Sequence, residues 1–366
     1  MSKIKVACLK FDGLSSGGTE KYIQTISTLL DKSKYDVDYF YTEKVDCNVY
    51  NNVGMNHIGP NIDRLNYLKS NGVNLIKVEI GNRYNYPPYE WVCHNLFNLF
   101  KEDNYDIIQI ARGGYTEYPF NQINRTKIID SVHGDMGEDK PNIKKVILLC
   151  EWQANIWGSR GGNLSKAEII PSLVYVPEKN NLNFREELSI PKDAFVYGFH
   201  QASNPNIFSP ISLAAYSLVN NDNNYFLILG GSQKHRDQAI GMKNVIFLDF
   251  SSDINIIHKF LSTIDVFAHS RSDGEVCSAA IIEAMYHGKP IISHKALNMG
   301  HLEQIDGCGR VCEDIDEYVK EMRLLENNKD YYLEKSENTI VRYYQKYDYN
   351  KIEKKINNLY DYVSKL

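Results

Sequence analysis

Residues 264–293 read IDVFAHSRSDGEVCSAAIIEAMYHGKPIIS, and the succession of residue types in this stretch decides the fold. Ile264 to Ala268 is a short apolar run, β-branched and aromatic, as a buried strand requires. Ser278 is a helix-capping residue type, and the residues after it predict a helix over Ala279 to His287 with Ala279, Ile282, Met285 and Tyr286 on one face. Gly288 suits the left-handed position after that helix, Pro290 forbids its continuation, and Ile291 and Ile292 open another strand. Strand, loop, helix, strand is the unit from which parallel sheets are built. One carboxylate, Glu275, falls in the loop, and a second, Glu283, falls about one turn inside the helix.

This arrangement suits an anionic ligand. The first N–H groups of a helix, here those of Ser278, Ala279 and Ala280, present partial positive charge to a phosphate or diphosphate without a metal. Val276 and Cys277 supply the backbone that leads up to them. Glu283 lies at the depth where its carboxylate accepts hydrogen bonds from the two hydroxyls of a ribose. Glu275 faces whatever group hangs from the far side of the diphosphate.

The pattern E-x7-E followed by A-M-x-x-G-x-P-[IV]-[IV] resembles the signature of GT-B glycosyltransferases, in particular the retaining family 4 (glycosyl transferases group 1). The resemblance implies two Rossmann-like doubly wound parallel-sheet domains facing each other across a cleft. It also implies that Glu283 binds the ribose of a nucleoside-diphosphate sugar and that Glu275 lies by the donor sugar. No metal cofactor is expected.

The start of the chain is organised in the same way. Ile4 to Leu9 reads as a strand, FDGLSSGG over residues 11–18 as a loop, and Ile23, Ile26, Leu29 and Leu30 as the buried face of a helix. Gly17 and Gly18 allow close backbone approach to phosphate, and GGTEKY resembles the G-G-x-E-[RK] start of the same family. Asp36 and Asp38 form a D-x-D at the opening of the second strand, which reads as structural rather than metal-binding. The segment from Tyr84 to Trp91 (YNYPPYEW) reads equally as a carbohydrate-binding wall or a rigid packed loop. Arg112 and Tyr115 come after the strand Tyr105 to Ala111, and position alone makes them acceptor-side candidates. His133 ends the strand Lys127 to Val132. In VHGDMG it resembles the histidine that the family places near the reaction centre, which makes His133 and Glu275 the catalytic candidates.

The second half repeats the scheme with strands at Ala194 to Phe199, Tyr225 to Leu229, Val245 to Leu248, Ile264 to Ala268 and Pro290 to Ser293. Here the chain departs from the family. An arginine and a lysine that neutralise the donor diphosphate are expected after the strand ending at Phe199, but the chain reads GFHQASNPNIFSP. His200 and Gln201 occupy that region, and Lys234, His235 and Arg236 in the next strand's loop are the substitutes. Both glycines of the family's E-G-F-G are also replaced, the chain reading Glu275, Val276, Cys277, Ser278. Downstream, GHLEQI (residues 300–305) resembles the family's G-G-x-x-E-[VI].

These readings give an acceptor-side domain over residues 1–172, a donor domain over 173–348 with a hinge within Ser172 to Pro191, and a helix over 349–366 that crosses back onto the first domain. With 366 residues and 43% apolar content, each domain has enough chain for its own core. The net charge of −5, with acids and bases interspersed, gives no sign of a nucleic-acid-binding surface, and no nucleic-acid partner is expected. Seven scattered cysteines fit a reducing compartment, and Cys308 and Cys312 read as core or turn residues rather than zinc ligands. No signal peptide or membrane-spanning run is evident, so the expected location is cytoplasmic, with docking on the inner face of a membrane through a lipid-linked acceptor still open. The expected activity is metal-independent, retaining transfer from a UDP or GDP type sugar to a hydroxyl acceptor on a glycan, lipid or small molecule. Two alternatives are a sugar-nucleotide 2-epimerase and a non-catalytic sugar-nucleotide or glycan-binding protein.

Overall fold

The computed structural model describes residues 2–10, 14, 18–42, 61–83, 91–93, 95–112, 122–132, 141–175 and 182–366. Side chains are described for all of these except Thr19, residues 80–83, residues 91–93 and Arg112. Contacts divide the chain into two units, Met1–Leu173 together with Tyr349–Leu366, and Val174–Asp348.

The first unit is built on a seven-stranded sheet of β1 (Ile4–Leu9), β2 (Tyr35–Thr42), β3 (Asn74–Val78), β4 (Ile107–Arg112), β5 (Lys127–Val132), β6 (Ile143–Leu148) and β7 (Ala167–Ile169), in the order β3-β2-β1-β4-β5-β6-β7. All neighbouring strands run parallel. Their sequences are nearly continuous apolar runs because helices cover both faces, and Val6, Ala7, Leu9, Ile108 and Ile128 are fully buried. The helix α1 (Gly18–Leu29) comes after β1 and buries Ile23 and Ile26. Asp38 of the D-x-D accepts hydrogen bonds from Tyr105 Oη and Asn74 Nδ2, both at 2.7 Å, so it ties strands together. The C-terminal helix, Tyr349–Ser364, lies against this sheet. It buries Ile352, Ile356, Leu359, Tyr360 and Val363, and Asn357 bonds the end of α1 at Leu29 O (3.0 Å) and the Asp31 N–H (3.1 Å).

The second unit has a six-stranded parallel sheet of β8 (Phe195–Gln201), β9 (Asn224–Gly230), β10 (Val245–Leu248), β11 (Val266–Ala268), β12 (Ile291–His294) and β13 (Gly309–Cys312), in the order β10-β9-β8-β11-β12-β13. Strand β13 was not expected; GRVC is too short and too polar to announce itself, and pairing with β12 makes it a strand. In both units the order reverses beside the first strand, so both are doubly wound parallel sheets, the fold class read from the sequence. In the second unit the reversal falls between β8 and β11. The loops after His200 and after Ala268 therefore open on the same carboxyl-end rim, where open α/β sheets bind ligands. Among the described residues no helix is long and apolar enough to cross a membrane.

Candidate functional site

The helices around this rim are α2 (Gln233–Gln238), α3 (Ile254–Thr263), α4 (Ala279–Tyr286) and α5 (Gly300–Ile305). Helix α4 begins at the residue the sequence predicts and stops one short, with His287 as its C-cap and Gly288 at φ +66°. Its buried residues are Ile281 to Met285, whereas Ala279, expected on the buried face, is exposed. The apolar band is wide because α4 is packed by α3 and by the helix Lys329–Arg342 as well as by the sheet side.

Glu283 is 8% exposed, and its Oε2 lies 3.0 Å from His200 Nε2 at the end of β8. The contact is close, yet the ring N–H is not aligned for a hydrogen bond, and His200 Nε2 is buried with no such partner among the described residues. His258 of α3 also faces this carboxylate. Burial lowers the His258 pKa, the charge of Glu283 opposes that, and His200 adds to it. His258 Nδ1 meets His287 Nε2 at 2.6 Å. The ribose carboxylate candidate thus stands among histidines.

Glu275 sits after a turn at Gly274, whose φ is +69°. Gly274 and Glu275 pair in parallel with Asn298 and Met299. Glu275 Oε1 receives Arg271 Nη1 and Ser278 Oγ, each at 3.2 Å, and His269 Nε2 lies 3.8 Å away. Burial by itself raises the pKa of this carboxyl. The facing His269 imidazole, the Arg271 charge and the Ser278 hydroxyl outweigh burial and hold it below the usual carboxylate range.

The start of α4 differs from the capped helix that the sequence predicts. Ser278 occupies the N-cap position, but its hydroxyl bonds Glu275 and makes no cap bond to α4. Its N–H is not free either, since Gln304 Oε1 of α5 accepts it at 2.7 Å while Gln304 Nε2 donates to Ser278 O at 3.2 Å. The side chain of Gln304, far along the chain, satisfies a group that local sequence leaves open. Of the three N–H groups read as an anion site, those of Ala279 and Ala280 have no acceptor among the described residues. Cys277 is buried and its Sγ receives Gln304 Nε2 at 3.5 Å; Val276 is half-buried.

The remaining candidates are scattered. Gln201 is half-buried beside His235, with Nε2 atoms 3.5 Å apart. His235 is fully buried and accepts the Ser232 N–H at Nδ1 (3.0 Å), and burial pushes its pKa down to about 4. Lys234 and Arg236 are exposed and lie over the rings of Phe208 (5.7 Å) and Phe247 (4.6 Å). Among the described residues no contact joins either cation to Glu275, Glu283 or the start of α4. Gly18 is the exposed first residue of α1. Arg112 ends β4, but its side chain lies outside the described residues, as do Gly17, Tyr115, His133 and the segment 84–90.

Sequence reasoning missed Arg271 and His269. Arg271 is bidentate on Asp273 (Nε–Oδ1 2.6 Å, Nη2–Oδ2 2.9 Å) as well as bonded to Glu275. His269 is 5% exposed, with Nδ1 fixed by Ser293 Oγ at 2.7 Å and Nε2 without a hydrogen-bond partner among the described residues. The R-x-D-x-E spacing and the histidine at a strand end were the available signals. Among the described residues no group of three or more His, Cys, Asp or Glu is arranged to hold a metal ion.

Residues 182–346 match the sequence profile of the family Glycosyl transferases group 1. A search of curated proteins gave no significant match. Solved structures similar to the chain include a glycosyltransferase from Rickettsia africae ESF-5 (12% identity, TM-score 0.73, covering 99% of each chain). They also include Anabaena Alr3699/HepE in complex with UDP and glucose (16% identity, TM-score 0.69, covering 98% of this chain and 99% of that one). A third is WaaG, a glycosyltransferase involved in lipopolysaccharide biosynthesis (14% identity, TM-score 0.67, covering 97% and 99%). With this fold over nearly its whole length, the chain has the GT-B architecture, and its residues 182–346 are similar to glycosyl transferases group 1.

Proposed function

We propose that the chain moves a sugar from a nucleoside diphosphate to a hydroxyl acceptor on a glycan, lipid or small molecule, with retained anomeric configuration. The carrying observation is that each carboxylate of E-x7-E stands beside a buried imidazole with a hydrogen-bonding nitrogen left over, His200 at Glu283 and His269 at Glu275. Buried polar groups without partners are costly, and at a switch-point rim they are accounted for by ligand oxygens. In this reading Glu283 takes the ribose hydroxyls and Glu275 takes a hydroxyl of the donor sugar. The leaving diphosphate lies at the N–H groups of Ala279 and Ala280, where negative charge develops as its bond to the anomeric carbon breaks. Retention puts the acceptor on the same face of the sugar as the diphosphate, whose oxygen then receives the acceptor proton as the new bond forms. His133 is assigned to the acceptor side from its motif.

The base and the donor class can be narrowed. Phe250, 54% exposed, neighbours Gly230 at the end of β9 and offers an apolar face for the base. The Anabaena protein binds UDP and UDP-glucose, which makes uridine conjugates the first to try. A second reading, donor binding without transfer, is favoured by His200 and Gln201 standing where the family has cations. The test is a thermal-shift screen of UDP, GDP, ADP and their common sugar conjugates, with and without magnesium, and then product analysis. Stabilisation by one nucleotide family with release of free nucleoside diphosphate supports transfer, stabilisation without turnover selects the second reading, and no stabilisation at millimolar ligand overturns both.

A further inference from the structure

The loop that carries Glu275 holds an arginine between two carboxylates. Asp273 accepts from Arg271 at Nε and Nη2, which fixes the plane of the guanidinium and leaves Nη1 aimed at Glu275 Oε1. The loop itself is anchored on several sides. Arg271 N–H donates to His294 Nε2 at 3.3 Å, Asn298 N–H and Nδ2 both reach Asp273 O (2.9 and 2.8 Å), and Ser270 Oγ donates to Ser209 O at 3.0 Å. Arg271 Nη1 and Ser278 Oγ both contact Oε1 of Glu275, and Oε2 accepts nothing among the described residues. A carboxylate fixed through one oxygen presents the other in a set direction.

We propose that Arg271 is a positioning residue, which holds Glu275 through Oε1 and so directs an ionised Oε2 at a hydroxyl of the donor sugar. This rests on the reading of Glu275 as a sugar contact. Arg271 suits the task because its planar fork serves two carboxylates at once, which a lysine ammonium does not reproduce. The groups facing Glu275 are Arg271 and Asp273 in its own loop, His269 at the end of β11, Ser278 at the start of α4 and His301 of α5. Burial lowers the His301 pKa and so does His269, so Arg271 is the member of this set with a permanent charge. Although burial disfavours the Arg271 charge, Asp273 and Glu275 more than restore it.

The test has two readouts on the full chain. In protein labelled with carboxyl-13C glutamate, with the Glu275 signal assigned through Glu275→Gln, the wild-type titration midpoint lies below that of an ordinary glutamate. Arg271→Gln moves it upward, and Arg271→Lys brings back part of the shift. An unmoved midpoint in both variants overturns the proposal. The second readout is the ratio of UDP to UDP-glucose dissociation constants. The proposal expects Arg271→Gln and Glu275→Gln to remove the sugar's contribution, by roughly tenfold, while UDP binding stays unchanged. A contribution lost in Glu275→Gln but intact in Arg271→Gln overturns the proposal and leaves the sugar contact standing. A contribution insensitive to Glu275→Gln overturns the sugar contact itself.

Discussion

His200 Nε2 and Glu283 Oε2 lie 3.0 Å apart, joining the end of the first strand of the second unit to the helix after its fourth. The contact spans the point at which strand order reverses, and it sets an imidazole against the carboxylate read as the ribose partner. Hydrogen bonds to a charged group contribute about 1.5–3 kcal/mol each, so Glu283→Gln is expected to weaken nucleotide binding by roughly 100-fold and His200→Ala by roughly tenfold. Calorimetric titration with UDP and GDP checks both, with unfolding temperature as the control for folding. Wild-type nucleotide affinity in Glu283→Gln would remove the ribose assignment.

The legible parts of the fold and site are those set by local interactions. Strands such as Ile4–Leu9 and Lys127–Val132 are read directly, because a parallel strand buried on both faces leaves a continuous apolar run. Gly288 is equally plain, since the end of a helix and a positive φ are local demands. The occupation of the Ser278 N–H by Gln304 is not readable, because it depends on how α5 is placed against the loop. Lys234 and Arg236 show the converse difficulty. Sequence position put them near a phosphate, while their stems and charges settle over Phe208 and Phe247. Arg271 looked like one polar residue in a polar loop until its two carboxylate partners were placed around it.

Gly274→Ala should damage the site through the backbone. An added Cβ would lie 2.1 Å from Asn298 O and 2.9 Å from Ala296 Cβ, at a φ of +69° that L side chains resist. The Gly274–Asn298 pairing must then shift, and Glu275 moves with it. Expected is a loss of about 1–3 kcal/mol in urea unfolding together with a weaker sugar contribution to donor binding. Gly307→Ala is the comparison, with φ +79° and nothing within 4 Å of the new Cβ. It carries only the backbone strain, about 1–2 kcal/mol, and leaves donor binding alone. Equal binding losses in the two variants would argue against a local effect.

The acid limb of stability has an identified contributor in His235. The ring lies between Phe199 (5.4 Å) and Phe208 (4.7 Å) and accepts the Ser232 N–H, and burial lowers its pKa to about 4. Unfolding restores an ordinary value near 6.5. Between those two values the unfolded chain binds a proton that the folded chain does not, so stability falls as pH drops from about 6.5 to about 4 and returns as pH rises. His294, also lowered to about 4 by burial, adds a second contribution of the same sign. Replacing His235 with Gln lowers stability at pH 7 through lost packing but flattens the decline across this window. Parallel pH profiles of unfolding free energy for the two proteins would show that His235 is not a source.

The C-terminal helix should decide whether the first unit folds at all. Tyr349–Ser364 buries Ile352, Ile356, Leu359, Tyr360 and Val363, and Tyr360 Oη reaches Gln109 Oε1 inside the sheet. Burying a large apolar side chain contributes about 1.5–3 kcal/mol, so the helix supplies on the order of 10 kcal/mol. That is comparable with the whole net stability of a typical domain, about 5–15 kcal/mol. Truncation after Asp348 is therefore expected to abolish cooperative unfolding of the first unit while Val174–Asp348, which has its own sheet, still melts as a unit in calorimetry. Ile356→Ala, which removes one fully buried side chain, should cost about 2–5 kcal/mol, and Tyr360→Phe, which removes only the hydroxyl, about 1 kcal/mol. The graded series separates packing from the single hydrogen bond. A truncated chain that kept both transitions at wild-type temperatures would mean that the sheet does not depend on the helix it covers.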